Sequence, residues 1–314
     1  MEFPLLETLK SQPVWVLPLL SVGFFNLLRA SLYFLWWIYV FFLRPSKNLL
    51  GYGRWAIVTG PTDGIGKSMA FEMARKGVNL VLVGRRPDML KQVTGAIKAE
   101  VPTIEVVTVV FDLNEDIADG VKRLGDAIRG LDVGVLINNA GVSYRVPKCL
   151  HEVDEEMFSE LVNVNMEALT DITRLVLSGM VKKKKGAIVN LGSASTVVTP
   201  SYPMLAVYAG TKAYVDSLSR SLHQEYKNNG IDIQCQVPLF VVTKMVPDKK
   251  LYFFNPSPDG YAPSAVRAIG YGATVIPYWR QSLQAYLATY VPVGIFNEQL
   301  LRSALRRRVL YPYG

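Results

Sequence analysis

The stretch TGPTDGIGKS, Thr59 to Ser68, carries glycines at positions 60, 64 and 66 and ends in Lys-Ser like a triphosphate-binding loop. Such a loop needs four residues between its glycines, so that consecutive backbone N–H groups wrap the phosphates and the lysine reaches their far end. Here five residues, Pro61 to Ile65, separate Gly60 from Gly66. Counting back from Lys67 puts Pro61, which has no N–H, where the first glycine belongs. The competing reading is a G-x-x-x-G-x-G turn between a strand and a helix, which holds the diphosphate of a dinucleotide on the helix N-terminus. Both flanks agree with it. Trp55-Ala-Ile-Val-Thr59 is a short apolar run suited to a buried parallel strand. Ile65, Met69 and Met73, with Ala70 and Ala74, recur at helical spacing, and Gly77 sits where a helix C-cap belongs.

Composition narrows the classes. The 314 residues read as one α/β domain with no internal repeat or low-complexity linker. Two cysteines, Cys149 and Cys235, and two histidines, His151 and His223, match no metal-ligand spacing and no disulfide framework, which fits a reducing compartment. The net charge of +8 gathers at Lys182 to Lys185 and Arg302 to Arg308 without interleaved aromatics, so no nucleic-acid partner is expected. The lysines read as a solvated helix end, and the arginines as a face toward anionic lipid headgroups.

From Val14 to Leu43 nearly every residue is apolar or aromatic. A spanning helix needs roughly 20 such residues, and a cleavable signal has a shorter core. With Asn26 and Arg29 interrupting the run, the cleanest span is about Phe24 to Leu43; two half-segments lying in the interface are the alternative. Arg44, Lys47 and Arg54 follow the span while Lys10 precedes it, so the positive-inside rule puts the folded domain in the cytosol. The organisation expected is an anchor and linker over 1–50, a dinucleotide-binding catalytic domain over 51–245, and a C-terminal extension over 246–314 packed on that domain near the membrane.

Further strands are expected at Asn79–Val83, Glu105–Phe111, Val133–Ile137, Ala187–Leu191 and Ile231–Val237, separated by helical segments of which the longest runs from Glu155 to Met180. Alternating units of this length give a Rossmann-type doubly wound parallel sheet, with ligands beyond the carboxyl ends of its strands. After Val83 come Gly84, Arg85 and Arg86, with no acidic residue before Asp88. An arginine there accommodates a ribose 2′-phosphate, which favours NADP with Arg85 as its contact over two ordinary loop cations.

Five pieces occur in order: the glycine loop, Asn138-Asn139-Ala140-Gly141, Asn165 within a helix, Asn190-Leu-Gly-Ser193 at a strand end, and Tyr208-Ala-Gly-Thr-Lys212. Together they resemble the short-chain dehydrogenase/reductase family from roughly Gly53 to Thr243. Tyr208 and Lys212 are four apart, so on a helix they share a face, and a cation beside the phenol favours its ionisation. The resemblance implies that Tyr208 protonates a carbonyl oxygen, Ser193 hydrogen-bonds it, Lys212 holds the nicotinamide ribose and Asn165 anchors a proton-relay water. It implies NADPH held by Gly60, Thr62, Asp63, Gly64, Ile65, Gly66, Arg85, Asp112, Asn139, Ala140, Gly141, Tyr208, Lys212, Pro238, Val241 and Thr243. Three departures stand out. Ser195, 13 positions before Tyr208, rivals Ser193 at 15; the usual Pro-Gly reads Pro238-Leu239; and Asp63 stands where NADP enzymes often carry a basic residue.

With its anchor, its TGPTDGIGK loop and the phrase QCQVPLFVVTKM, the chain looks like one branch of that family, the very-long-chain 3-oxoacyl-CoA reductases of the endoplasmic reticulum, particularly the plant type. That branch also includes 17β-hydroxysteroid dehydrogenases of the 12/3 type. The resemblance implies reduction of a very-long-chain 3-oxoacyl-CoA by NADPH, beside a condensing enzyme, a 3-hydroxyacyl-CoA dehydratase and an enoyl-CoA reductase. Leu251–Phe254 and Tyr286–Phe296 are apolar but too short or interrupted to span, and read as substrate-loop and membrane-surface elements. A steroid or retinoid oxidoreductase shares every catalytic residue, and a scaffold without catalysis is the reading from another class.

Overall fold

The computed structural model describes residues 13, 15–245 and 250–310, and its chain contacts divide between Pro45 and Ser46. Lys10 and part of the expected C-terminal extension lie outside the described residues. In the first unit, helix α1 (Val16–Ile38) continues through a π-turn at Tyr39–Leu43. The combined 28 residues, Val16–Leu43, are long and apolar enough to cross a membrane. The helix therefore begins eight residues before the expected Phe24. The reason is local: Ser21 Oγ donates to Leu17 O and Asn26 Nδ2 to Val22 O, each at 2.9 Å, so the polar groups are satisfied within the helix. Pro18 falls in the first turn, where its missing N–H has no partner to lose.

The second unit is built on a seven-stranded parallel sheet. In chain order its elements are β1 (Trp55–Thr59), α2 (Gly64–Arg75), β2 (Asn79–Gly84), α3 (Pro87–Glu100), β3 (Val106–Val110), α4 (Ile117–Ala127) and β4 (Val133–Asn138). Then follow α5 (Glu155–Val162), α6 (Ala168–Lys183), β5 (Gly186–Leu191), α7 (Ala194–Val197), α8 (Ala206–Tyr226) and β6 (Ile231–Gln236). The chain finishes with α9 (Pro258–Arg267), β7 (Thr274–Val275), α10 (Trp279–Ala288) and α11 (Val293–Leu310). The strand order 3-2-1-4-5-6-7 reverses direction of travel between β1 and β4. Strand residues alternate between two cores. Ala56, Val58, Leu80 and Leu82 pack under α2, α3 and α9 against Met69, Met73, Leu90 and Val266. Ile57, Val81, Val83 and Ile188 pack under α4 and α6 against Leu124, Ile172, Val176 and Met180. Both faces are covered, which is why the central strands β1, β2 and β4 read as largely unbroken apolar runs.

Three features differ from expectation. The long helix over Glu155–Met180 is α5 and α6 joined by a π-turn at Asn163–Glu167, which inserts Asn165 into the inward face without ending the helix. Strand β7 has two residues, too few to leave a periodic signal; it pairs with Cys235 and Gln236. Lys183 is not part of a solvated helix end. Its Nζ donates to Asp132 Oδ1 at 2.7 Å, Tyr52 O at 3.1 Å and Val133 O at 2.6 Å, tying α6 to the starts of β1 and β4. Replacing it leaves two part-buried carbonyls without this donor, whereas the exposed Asp132 carboxylate keeps water and the Arg54 N–H. Lys183→Met is expected to lower the unfolding free energy by about 1–3 kcal/mol, read as a fall of several degrees in Tm; an unchanged Tm contradicts this role.

Candidate active site

The carboxyl ends of the strands converge on one cleft of about 420 Å³ at the β1/β4 reversal, the place where an open parallel sheet leaves a crevice. Its floor is set by a clasp between two strand ends. Thr59 Oγ1 accepts the N–H groups of Asn139 (3.1 Å) and Ala140 (3.0 Å), and Asn139 Nδ2 donates to Thr59 O (3.0 Å) and Gly60 O (3.1 Å). A Cβ on Gly66 would lie 2.1 Å from Asn139 Nδ2 and 2.4 Å from Gly60 O, so no side chain fits. Gly60 and Gly64 take φ of +64° and +56°, in the left-handed region that glycine enters without strain. Asp63 caps α2 by accepting the Gly64 N–H at 2.8 Å. The result is a hollow at the start of α2 in which Gly60 and Gly64 add no side chain, which fits a dinucleotide diphosphate.

The rim carries charge. Arg85 Nη1 stands 3.8 Å from Asp112 Oδ2, a loose pairing at the end of β2, and Arg85 is well exposed. Lys244, which the sequence reading did not single out, pairs with Asp63 Oδ2 at 2.8 Å. Burial pushes the Asp63 carboxyl upward, but the Lys244 bond, the Gly64 N–H and the charges of Lys244 and Lys67 outweigh it and hold it below the usual carboxylate range. The acidic residue at this loop is thus neutralised in place by a lysine from the segment after β6.

Ser193, Tyr208 and Lys212 line the same cleft as Gly60, Thr62, Asp63, Gly64, Ile65, Arg85, Asp112, Asn139, Ala140, Gly141, Pro238, Val241 and Thr243. Gly66 and Asn165 do not line it; both stand behind the wall and shape it. Asn165 is 1% exposed, and both amide hydrogens are used: Nδ2 donates to Val142 O at 3.0 Å and Thr211 Oγ1 at 3.1 Å, while Oδ1 accepts the Val142 N–H at 2.9 Å. Asn165 Oδ1 and Lys212 Nζ meet over Gly141, where an added Cβ would lie 3.2 and 3.3 Å from them. Ser193 caps α7 by accepting the Ser195 N–H at 3.2 Å, while the Ser195 hydroxyl is buried away from the cleft. The geometry therefore puts Ser193, and not Ser195, within reach of Tyr208.

Lys212 is buried and donates to Leu191 O at 2.9 Å, with Nζ 6.0 Å from the Tyr208 ring centre. Burial brings the Lys212 ammonium down to about 8, opposed weakly by Cys235. Burial also pushes the Tyr208 phenol up to about 12, with the Ser193 hydrogen bond pulling the other way and Tyr202 adding to the rise. The expected lowering of Tyr208 by its neighbouring lysine is not found: burial dominates, and the counter-pull comes from Ser193. The phenol keeps its proton through the neutral range, which suits a proton donor. Motif reading also missed Tyr144, Glu160, Tyr202, Phe240 and Arg307 in the cleft wall, because loop and distant-helix residues carry no spacing signal.

Residues 54–251 match the short chain dehydrogenase family. A very-long-chain 3-oxoacyl-CoA reductase-like protein of Arabidopsis thaliana is 44% identical over 306 residues, covering 96% of this chain and 97% of its own. The very-long-chain 3-oxoacyl-CoA reductase of Homo sapiens is 37% identical over 264 residues, 83% of each chain. A short-chain dehydrogenase from Sphingobium yanoikuyae, solved in complex with NADPH, aligns with a TM-score of 0.63 at 25% identity, over 76% of this chain and 96% of that one. A 7beta-hydroxysteroid dehydrogenase structure shares the fold with a TM-score of 0.72 at 19% identity, over 81% of this chain and 99% of its own. The glycine loop, the paired strand ends and these likenesses agree, and the chain belongs to the short-chain dehydrogenase family.

Proposed function

We propose that the protein is an NADPH-dependent reductase that converts a very-long-chain 3-oxoacyl-CoA to the 3-hydroxyacyl-CoA during fatty-acid elongation. The observation that carries the reading is the sharing of one cleft by the glycine loop and by Ser193, Tyr208 and Lys212, in a chain 44% identical to a reductase-like relative along nearly its full length. NADPH supplies the hydride. Gly60, Gly64 and the start of α2 would hold its diphosphate, with Gly66 leaving room behind them, and Arg85 its 2′-phosphate. Ser193 orients the substrate carbonyl by donating a hydrogen bond to its oxygen. Tyr208 donates its phenolic proton to that oxygen as it gains negative charge, leaving a phenolate beside the Lys212 ammonium. One hydride at carbon and one proton at oxygen complete the secondary alcohol.

A membrane location suits this substrate. Each buried CH2 is worth about 0.8 kcal/mol, so an acyl chain of elongase length partitions into bilayer, and a tethered enzyme meets it there. The apolar helix Val16–Leu43 supports membrane attachment. We assign the chain to the endoplasmic-reticulum membrane with its catalytic part in the cytosol, on the charge asymmetry of Arg44, Lys47 and Arg54. We take 1–50 as anchor and linker, 51–245 as the catalytic domain and 246–314 as its membrane-proximal extension. A condensing enzyme, a dehydratase and an enoyl-CoA reductase are the partners in this reading. Exposed Leu251, Tyr252 and Phe253 supply a greasy rim.

Tyr208→Phe removes the donated proton while keeping the ring. Its kcat with NADPH and a long-chain 3-oxoacyl-CoA should fall by about 10²–10⁴-fold, the range of one positioned acid, with NADPH affinity retained; full turnover in the variant would refute the assignment. Lys212 carries its charge below about pH 8 and loses it above. The kcat/KM is therefore expected to be level up to about pH 8 and to fall beyond it, whereas in Lys212→Arg, which stays charged, that limb should disappear. A wild-type profile level to pH 10 would contradict the buried-lysine account.

A further inference from the structure

Beyond the glycine loop and the strand ends, the cleft wall includes Tyr144, Glu160, Tyr202, Leu205, Met245 and Arg307. Arg307 comes from α11, and three contacts fix how that helix is seated. Asn297 Oδ1 accepts from Ser201 Oγ at 2.7 Å, Ala304 is buried, and Arg308 forms a two-pronged bond to Glu152, Nη1 to Oε2 at 2.7 Å and Nη2 to Oε1 at 2.5 Å. Positions 297, 304, 307 and 308 recur at helical spacing on one face, so the face that meets the domain also delivers Arg307 to the cleft. The Arg308 bond, the Cys149 N–H and the Arg308 and His151 charges outweigh partial burial and hold the Glu152 carboxyl well below its ordinary range, so the seat stays ionised at neutral pH. The Arg307 charge reaches the Tyr202 phenol, where it counters the rise that burial imposes.

The arginine run is therefore divided in its roles. Arg307 and Arg308 turn toward the protein, while Arg302, paired with Glu298, and Arg306 are exposed. The other cations of the cleft come from the strand ends and the segments beside them: Arg85 and Arg86 after β2, Lys244 on Asp63, and Lys212 on Leu191 O. We infer that Arg307 binds a phosphate of the carrier head of the acyl thioester, so that the C-terminal helix selects a phosphate-bearing thioester over a neutral ketone. This rests on the acyl-thioester reading above and adds the residue that recognises the carrier. A guanidinium is the side chain whose planar fork matches phosphate oxygens, and it needs no proton exchange to do so.

The test compares wild type with Arg307→Gln and Arg307→Lys on one 3-oxoacyl chain carried by coenzyme A, by 4′-phosphopantetheine and by phosphate-free pantetheine. In Arg307→Gln, kcat/KM for the coenzyme A thioester should fall about 10- to 100-fold, the worth of one hydrogen bond to a charged group, and less than about twofold for the pantetheine thioester, with Arg307→Lys between. A loss shared by the phosphopantetheine thioester assigns the 4′-phosphate; one confined to coenzyme A assigns the adenosine phosphates. Equal losses on all three, or none, overturn the inference while leaving the reductase standing. Calorimetry with free coenzyme A and NADP-loaded protein reads the contact without turnover. An about tenfold weaker Kd in Arg307→Gln is expected, and identical Kd values overturn the inference even if no thioester is reduced.

Discussion

The site depends on how closely two strand ends and a helix start approach one another. Thr59 and Gly60 accept four hydrogen bonds from Asn139 and Ala140 across the β1/β4 reversal, and the space left beside them at Gly66 is smaller than a methyl group. That contact aims the first turn of α2 into the cleft and puts Asn139-Ala140-Gly141 along its floor. Gly141 in turn lies under Asn165 and Lys212, so the glycine loop and the chemical residues are held by one continuous set of contacts. Shifting any one strand end moves both.

Burial then sets the electrical character of the site. A lysine this enclosed gives up part of its preference for the charged state, and a tyrosine beside it holds its proton more firmly. Geometry alone would have suggested the opposite for the phenol, since an adjacent cation lowers it. Desolvation dominates at the phenol, while the ammonium is occupied by the Leu191 carbonyl and stands 6.0 Å from the ring centre. Charge at the other end of the cleft is partly paired, Asp63 with Lys244 and Asp112 with Arg85, with Arg86 a further cation on the same wall.

What was legible in the chain was what repeats locally. Six strands were placed within a residue or two: β1, β2 and β4 are buried apolar runs, while β6 (IDIQCQ) alternates apolar with polar residues and β3 is partly exposed. The glycine loop was readable because its strand and helix flank it directly. The strand end at Leu191 points to Ser193, which lines the cleft, whereas counting back from Tyr208 points to Ser195, which does not. Contacts between distant segments were not legible. Lys183 on Asp132, Lys244 on Asp63 and Arg308 on Glu152 each join elements far apart in sequence, and no local pattern marks them. The π-turn at Asn165 hid for a different reason: an inserted residue keeps the helical face nearly continuous. Helix α1 began earlier than expected because its polar residues bond within the helix.

The central claim is that this cleft transfers hydride to the 3-oxo carbon of an acyl thioester. The most direct measurement is mass spectrometry of the product formed by membranes carrying the protein, supplied with a very-long-chain 3-oxoacyl-CoA and NADPH deuterated at the transferable C4 position. The account predicts a 3-hydroxyacyl-CoA carrying one deuterium at C3, absent from matched membranes carrying Tyr208→Phe. Unreduced substrate with the wild-type protein, or product formed equally in both membranes, would contradict it.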